Sequence, residues 1–183
     1  MENQASKPWL ALTMGDPAGI GPEVACLAAV SPEVLEFARP VIVGDAVVIA
    51  DAMQLLKIPA VSEAVTAIGE TLPGAERILV YQHGQLDWPN LEKGQVSAEA
   101  GRVSYGYVEK AVALAMSGLV GGVVTAPINK EAWSRAGYKE PGHTELLARL
   151  SGAASSRMLL VSPSLSVVHV TTHVALSKVP SLL

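Results

Sequence analysis

A single cysteine, Cys26, stands in 183 residues. That excludes an internal disulfide and leaves the fold to packing, as expected of a reducing compartment. Aromatic residues make up only 4%, with Phe37 the one phenylalanine, so the core is expected to be built from Ala, Val, Leu and Ile, a composition that favours α/β layering. Positive charge is also short: 13 Lys plus Arg against 17 Asp plus Glu give a net charge of −4 and a pI near 5.5. A chain without a cationic excess is a poor partner for a phosphate backbone, so nucleic acid is excluded. The first residues, Met1 to Pro8, show no cationic stretch followed by a long apolar run, so no export leader is expected and the location is read as cytoplasmic. One uncharged stretch, Ala111 to Asn129, is 19 residues long, near the length a bilayer requires. Gly118, Gly121, Gly122, Thr125 and Pro127 interrupt it, and it reads as a buried helix, a glycine turn and a buried strand, with no membrane partner.

What the chain does have is apolar mass. Half of it is hydrophobic and the mean hydropathy is +0.35, so it must bury a core. Its length allows one large domain or two small ones; residues 1–183 are read as one portion with no separate independent domain.

The apolar run Trp9 to Met14 reads as a strand that stops at the glycine-rich stretch Gly15 to Gly21, where three glycines and a proline deny both helix and sheet. Pro22 and Glu23 then open a helix to Val30, and Ser31-Pro32-Glu33 a second short one ending near Arg39-Pro40. Pro40 to Asp45 reads as a buried strand and turn, Ala46 to Leu56 as a helix; Lys57 to Gly74 is weakly patterned and carries no assignment. Ile78 to Tyr81 is a strand, Gln82 to Gly94 an irregular connection. Ser97 caps a long helix to Ser117, with Val103, Tyr107, Ala111 and Leu114 on its apolar face and Gly118 as its stop. Gly122 to Thr125 is a strand, Asn129 caps a helix over Lys130 to Ala136, Gly137 closes it, and Thr144 opens a helix to Leu150. Met158 to Val161 and Leu165 to Thr171 suggest a hairpin; the last residues, from Ser177, show no closing element. The alternation predicts an α/β fold, a mainly parallel sheet with helices on both faces.

Four places carry candidate chemistry. The loop Gly15 to Gly21 joins strand to helix, where open backbone amides suit an anion. It is not a dinucleotide fingerprint, since position 24 is Val, and it lacks a P-loop ending; locally it reads equally as an active-site loop or a tight connection. Thr125 to Lys130 follows a buried strand, the end at which parallel sheets bind ligands, and Lys130 can neutralise a phosphate or carboxylate there, although a solvated lysine is the commoner fate. At Gly142-His143-Thr144-Glu145 an imidazole, a hydroxyl and the amides of a helix start coincide, which suits an oxyanion or polyol; Thr144 as a plain N-cap beside a solvated His143 is the local alternative. His169 and His173 are four apart in a β-forming run, about 13 Å along a strand, too far to share one ion. His173 lies at the strand's end, where sites form; His169, inside the run, reads as structural, as do His83 and Cys26.

Taken together, Met14-Gly15-Asp16-Pro17-Ala18-Gly19-Ile20-Gly21-Pro22-Glu23, Thr125-Ala126-Pro127-Ile128-Asn129-Lys130, Pro141-Gly142-His143-Thr144-Glu145 and Thr171-Thr172-His173 strongly resemble the 4-hydroxythreonine-4-phosphate dehydrogenase family, from about Trp9 onward. The resemblance implies the first half, or slightly more, of a two-lobed fold like that of the isocitrate and isopropylmalate dehydrogenases, with the second lobe incomplete. It implies that His143 and Thr144 bind substrate and that His173 is the first of three histidines holding a divalent metal (Zn, Mg or Co). The other two family histidine motifs are not in this sequence, nor are the family's phosphate-gripping residues and most of its nicotinamide site, so the resemblance implies no particular catalytic or cofactor-binding residue among these.

The implied chemistry is NAD- or NADP-linked oxidation of a secondary alcohol on a phosphorylated hydroxy amino acid, with decarboxylation, in pyridoxal phosphate biosynthesis. A 4-phosphorylated threonate or erythronate is the alternative substrate, and a non-catalytic binding or interaction module the alternative role. A homodimer is implied for the full-length family. The 183 residues by themselves are expected to show little or no dehydrogenase activity, to expose apolar surface and to associate.

Overall fold

The computed structural model of the protein describes residues 7–171 and 174–183. Its chain divides into two compact units, Met1–Pro141 and Gly142–Leu183.

The first unit is a five-stranded parallel sheet. Its strands are β1 (Trp9–Thr13), β2 (Arg39–Gly44), β3 (Val61–Val65), β4 (Arg77–Gln82) and β5 (Gly122–Thr125), ordered β3-β4-β2-β1-β5. Between them run the helices α1 (Gly21–Val30), α2 (Pro32–Phe37), α3 (Ala46–Leu56) and α4 (Ala98–Met116), and α5 (Lys130–Arg135) follows β5. Right-handed crossovers, the usual hand, carry α1 and α3 to one face as the chain steps from β1 through β2 to the edge strand β3. The connection from β4 back across to β5 carries α4 to the opposite face. Accordingly α1 packs on α3, and α4 packs on β1, β2 and β5. Covered on both sides, Val41, Ile42, Val43, Ile78 and Val80 are wholly buried, which is why β2 and the middle of β4 read as unbroken apolar runs.

Local chemistry sets the helix ends. Asp45 accepts from the Val47 amide at 2.9 Å to start α3, Ser97 from Ala100 at 3.1 Å to start α4, and Asn129 from Ala132 at 2.9 Å to start α5. Gly118 and Gly137 follow their helices at φ +76° and +90°, a conformation that suits glycine.

The structure corrects several expectations. Lys57 to Gly74, left unassigned, contains β3, an edge strand whose face is half solvated, so it has no need of an apolar pattern. The core is not aliphatic alone: Trp133 and Tyr107 are among its largest wholly buried side chains, and Tyr105 is buried too. Trp133 seats α5 on α4. Its Nε1–H donates to Ser104 Oγ at 3.0 Å, and that hydroxyl donates to the Gly101 carbonyl at 3.1 Å. Tyr105 meets Trp133 edge-on and stacks on Tyr138 at 3.5 Å between centroids. Gly101 is where the two backbones touch, since a Cβ there would strike the Ala132 carbonyl.

The second unit holds α6 (His143–Ser151) and an antiparallel hairpin of β6 (Leu159–Val161) and β7 (Ser166–Val168). The hairpin is shorter than its β-branched run suggested. His169 lies just beyond β7 rather than inside it, half-buried, its amide donating to the Met158 carbonyl. A 3-10 turn, Leu176–Ser181, occupies the stretch where no closing element was expected. Among the described residues no helix is long and apolar enough to cross a membrane, so Ala111 to Asn129 is the helix, turn and strand its glycines predicted.

Candidate functional site

In an open parallel sheet ligands bind outside the carboxyl ends of the strands, where the connections of neighbouring strands leave in opposite directions. One such place lies between β1 and β5, because the chain leaves β1 towards β2 on one side and returns to β5 on the other. The two loops that leave these strands, Met14 to Ile20 and Ala126 to Asn129, are two of the four stretches singled out in the sequence. They meet: the Asp16 amide donates to the Pro127 carbonyl at 2.9 Å, and the Ala126 amide to the Thr13 carbonyl at 3.3 Å.

Two glycines make this approach possible. Gly15 sits at φ +77°, and a Cβ on it would strike the Pro127 carbonyl; a Cβ on Gly21 would strike the Met14 carbonyl. The loop thus needs its glycines for close backbone packing. Inside it Asp16 is only 6% exposed, and its Oδ1 accepts from the Ala18 amide at 2.9 Å. Burial holds the Asp16 carboxyl above its ordinary range, while the Ala18 amide pulls it partly back. Beside it, at the end of β1, the buried Thr13 hydroxyl has no hydrogen-bond partner among the described residues. Lys130 is exposed at the start of α5.

A second polar group at the carboxyl ends of the neighbouring strands escaped the sequence reading. Gln82 Oε1 accepts from the Ala46 amide at 2.8 Å, and its Nε2 donates to Asp45 Oδ2 at 3.4 Å and to the Gly84 carbonyl at 3.3 Å. Gln82 thereby completes the N-terminus of α3 that Asp45 begins. The sequence carries a signal for Asp45, since Gly44-Asp45 follows a strand and precedes an apolar-periodic helix, the pattern of a capping aspartate; it carries none for Gln82, which reaches Ala46 across 36 residues through the fold.

In the second unit His143 and Thr144 are the first two residues of α6, half-buried and with the helix's open amides around them. Gly142, not Thr144, stands at the N-cap, and no side chain caps the helix. The threonine hydroxyl is therefore not the capping group the local alternative required. His173 lies outside the described residues, and among the described residues no three His, Cys, Asp or Glu side chains gather as a metal cluster. Cys26 is buried, its Sγ 3.8 Å from the Ile49 carbonyl; burial, with Glu23 nearby, pushes its thiol up to about 12. It is a core residue, as expected, not a nucleophile. His83 is held below its ordinary range by burial and by Lys110.

A doubly wound α/β unit with glycine-bearing loops closing its switch point defines a class of small-ligand enzyme folds. Comparison with known proteins narrows the class. The family described as "Pyridoxal phosphate biosynthetic protein PdxA" matches residues 36–183. The chain is 43% identical over 171 residues to the D-threonate 4-phosphate dehydrogenase of Bordetella bronchiseptica, covering 92% of this chain and 48% of that protein. It is 35% identical over 178 residues to the 4-hydroxythreonine-4-phosphate dehydrogenase of Trichlorobacter lovleyi, covering 97% and 53% respectively. The crystal structure of a 4-hydroxythreonine-4-phosphate dehydrogenase from Burkholderia phymatum superposes with a TM-score of 0.88 at 37% identity, over 96% of this chain and 55% of that one. This chain belongs to the PdxA family, and it spans about half the length of the curated relatives it matches.

Proposed function

We propose that the chain is the portion of a PdxA-type dehydrogenase that supplies the first substrate contacts and one metal ligand. The whole enzyme would oxidise the secondary alcohol of a 4-phosphorylated hydroxy acid with NAD or NADP, and decarboxylation would follow. The observation that carries this reading is the close likeness in sequence and fold to dehydrogenases of that class. His143 and Thr144, at the amide-rich start of α6, would hold the substrate's oxygens: the imidazole and the hydroxyl donate hydrogen bonds, and the helix dipole favours negative charge there. His173 would be one metal ligand. Among the described residues no three-ligand cluster gathers, and His173 lies outside them. When bound, a divalent ion of this class lowers the pKa of a coordinated alcohol.

On the substrate, both the threonate and the hydroxythreonine phosphate stay in the reading, since relatives named for D-threonate 4-phosphate range from 35% to 43% identity and a relative named for 4-hydroxythreonine-4-phosphate stands at 35%. Isothermal titration of the 183-residue polypeptide with 4-phosphothreonate and 4-phosphohydroxythreonine tests the substrate contacts. Saturable binding of either, weakened about tenfold or more by His143→Ala, is expected. Binding unchanged by both His143→Ala and Thr144→Val would sink the assignment. A lone histidine offers one bond where the site needs several, so metal-dependent NAD reduction by this polypeptide should not rise above a His173→Ala control. A homodimer and a cytoplasmic location complete the reading.

A further inference from the structure

Behind the loop that follows β1 lies a cavity of about 240 Å³ that no part of the proposed reaction uses. Its walls come from that loop, α1, α3 and the connection that leads to α4. Three of its lining groups suit a cation. Glu23, on the first turn of α1, has a buried Oε2 with no hydrogen-bond partner among the described residues. Asp51, on α3, presents a second carboxylate, and Trp88 an indole face. The rest of the lining includes Ile20, Val48 and Leu55.

The structure already holds one ammonium at this wall, and it belongs to the chain itself. Lys93 Nζ lies 2.5 Å from Asp51 Oδ2 and 4.7 Å from the centre of the Trp88 ring. A carboxylate beside an aromatic face is a recognition pattern for ammonium groups, through Coulomb attraction and the ring quadrupole. The next residue, Gly94, donates its amide to the Ala18 carbonyl at 2.8 Å, which fixes the connection against the loop and gives the cavity its outer wall. Lys93 is 60% exposed and Asp51 40%, so their pairing is worth little net and can be exchanged for an equivalent one. Exchange would leave a competing ammonium free to reach Glu23 as well, a carboxylate oxygen that at present has no donor.

We propose that this cavity is a binding site for a small primary amine with a short apolar tail, and that Lys93 is its built-in competitor. The amine would meet Asp51, Glu23 and the Trp88 face, and its tail would lie against Ile20, Val48 and Leu55. The site stands apart from the substrate reading of His143 and Thr144, and its test does not depend on that reading.

The test uses the full 183-residue chain and n-butylammonium, titrated at constant ionic strength and followed by the amide NMR signals of Ala18 and Gly94. n-Butanol is the uncharged control. Saturable binding on the order of 1–10 mM is expected for so small a cation. Lys93→Met should tighten it by ~3-fold, because the resident ammonium is gone while the carboxylates and indole remain; Asp51→Asn, Glu23→Gln and Trp88→Leu should each weaken it by ~3-fold or more. Far-UV circular dichroism identifies any variant that fails to fold, and Lys93→Gln then serves in place of Lys93→Met. Three results would overturn the proposal: no saturation in either the parent or the Lys93 variant, butanol binding as tightly as butylammonium, or a folded Lys93 variant that binds no more tightly than the parent.

Discussion

The amide of Asp16 and the carbonyl of Pro127, 2.9 Å apart, join the loops that leave two adjacent parallel strands, β1 and β5, on whose two sides the chain departs and returns. The approach depends on Gly15, which combines a left-handed backbone at φ +77° with no space for a Cβ. Gly118 shares almost the same angle, φ +76°, but faces open space. The two positions therefore separate backbone strain from collision. Gly118→Ala should cost about 1–2 kcal/mol, the left-handed penalty alone. Gly15→Ala should cost about 2 kcal/mol beyond that, because the Pro127 carbonyl must move. Urea unfolding of both variants checks the difference, and equal losses would mean that the two loops are not packed as described.

Much of this arrangement is legible in the sequence, and the reason is local. Ser97, Asn129, Gly118 and Gly137 act through bonds and angles within a few residues of themselves, so the ends of α4 and α5 follow from residue type. What sequence does not carry is pairing across space. β3 is specified by its ladder with β4 from Val61↔Arg77 to Val65↔Tyr81, not by an apolar period of its own. Trp133 and Tyr107 become core residues because α4 and the segments around it close over them. Few aromatics in the composition said nothing about where those few would lie. His143 and Thr144 are legible as a motif, whereas the placing of Gly142 at the N-cap, which leaves Thr144 free of capping, is a property of the folded backbone.

Trp133 and Tyr107 are both wholly buried, with opposite polar accounts. The indole N–H of Trp133 has its acceptor in Ser104. The Tyr107 hydroxyl is buried with no partner among the described residues, and burial, reinforced by Asp45 and opposed by Arg102, holds it well above its ordinary range. Removing a satisfied donor costs, while removing an unsatisfied hydroxyl does not. Trp133→Phe should lose about 1–3 kcal/mol through the missing bond and the space left behind. Tyr107→Phe should be neutral or stabilising by up to about 1 kcal/mol. Chemical denaturation reads both, and a Tyr107→Phe loss as large as that of Trp133→Phe would show that the hydroxyl has an ordered partner.

Asp16 gives a pH dependence whose sign is fixed by burial. Its carboxyl is raised above the ordinary value of 3.8, so the folded chain keeps the proton to higher pH than the unfolded chain does. The stabilising contribution is therefore full below 3.8 and is lost as the pH rises through the folded pKa. Asp16→Asn retains an acceptor for the Ala18 amide and carries no charge. It should match or exceed the parent in stability at pH 7, and its unfolding free energy should lack this decline on the acid side. Parallel melts from pH 3 to pH 7 test the difference. A variant less stable than the parent at pH 7 would mean that the Asp16 charge is held by a donor beyond Ala18.

The hairpin of the second unit presents the opposite problem, apolar surface without cover. Leu159, Leu160, Val161, Leu165 and Val168 are each at least half exposed, and they fall within ten residues of one another along the chain. Contiguous apolar surface of this kind associates or is covered by a partner. The 183-residue polypeptide should therefore bind a hydrophobic dye and self-associate with concentration in light-scattering measurements. Val161→Lys together with Leu165→Lys should reduce both, without shifting the unfolding midpoint much, since neither side chain is buried and the turn bonds from Ser162 to Leu165 are made by the Leu165 backbone and the Ser162 main and side chain. A parent chain that stays monomeric across the concentration range and binds no dye would show that these residues are covered in solution. In that case the double lysine variant would lower the midpoint sharply instead, because the charges would have to be buried.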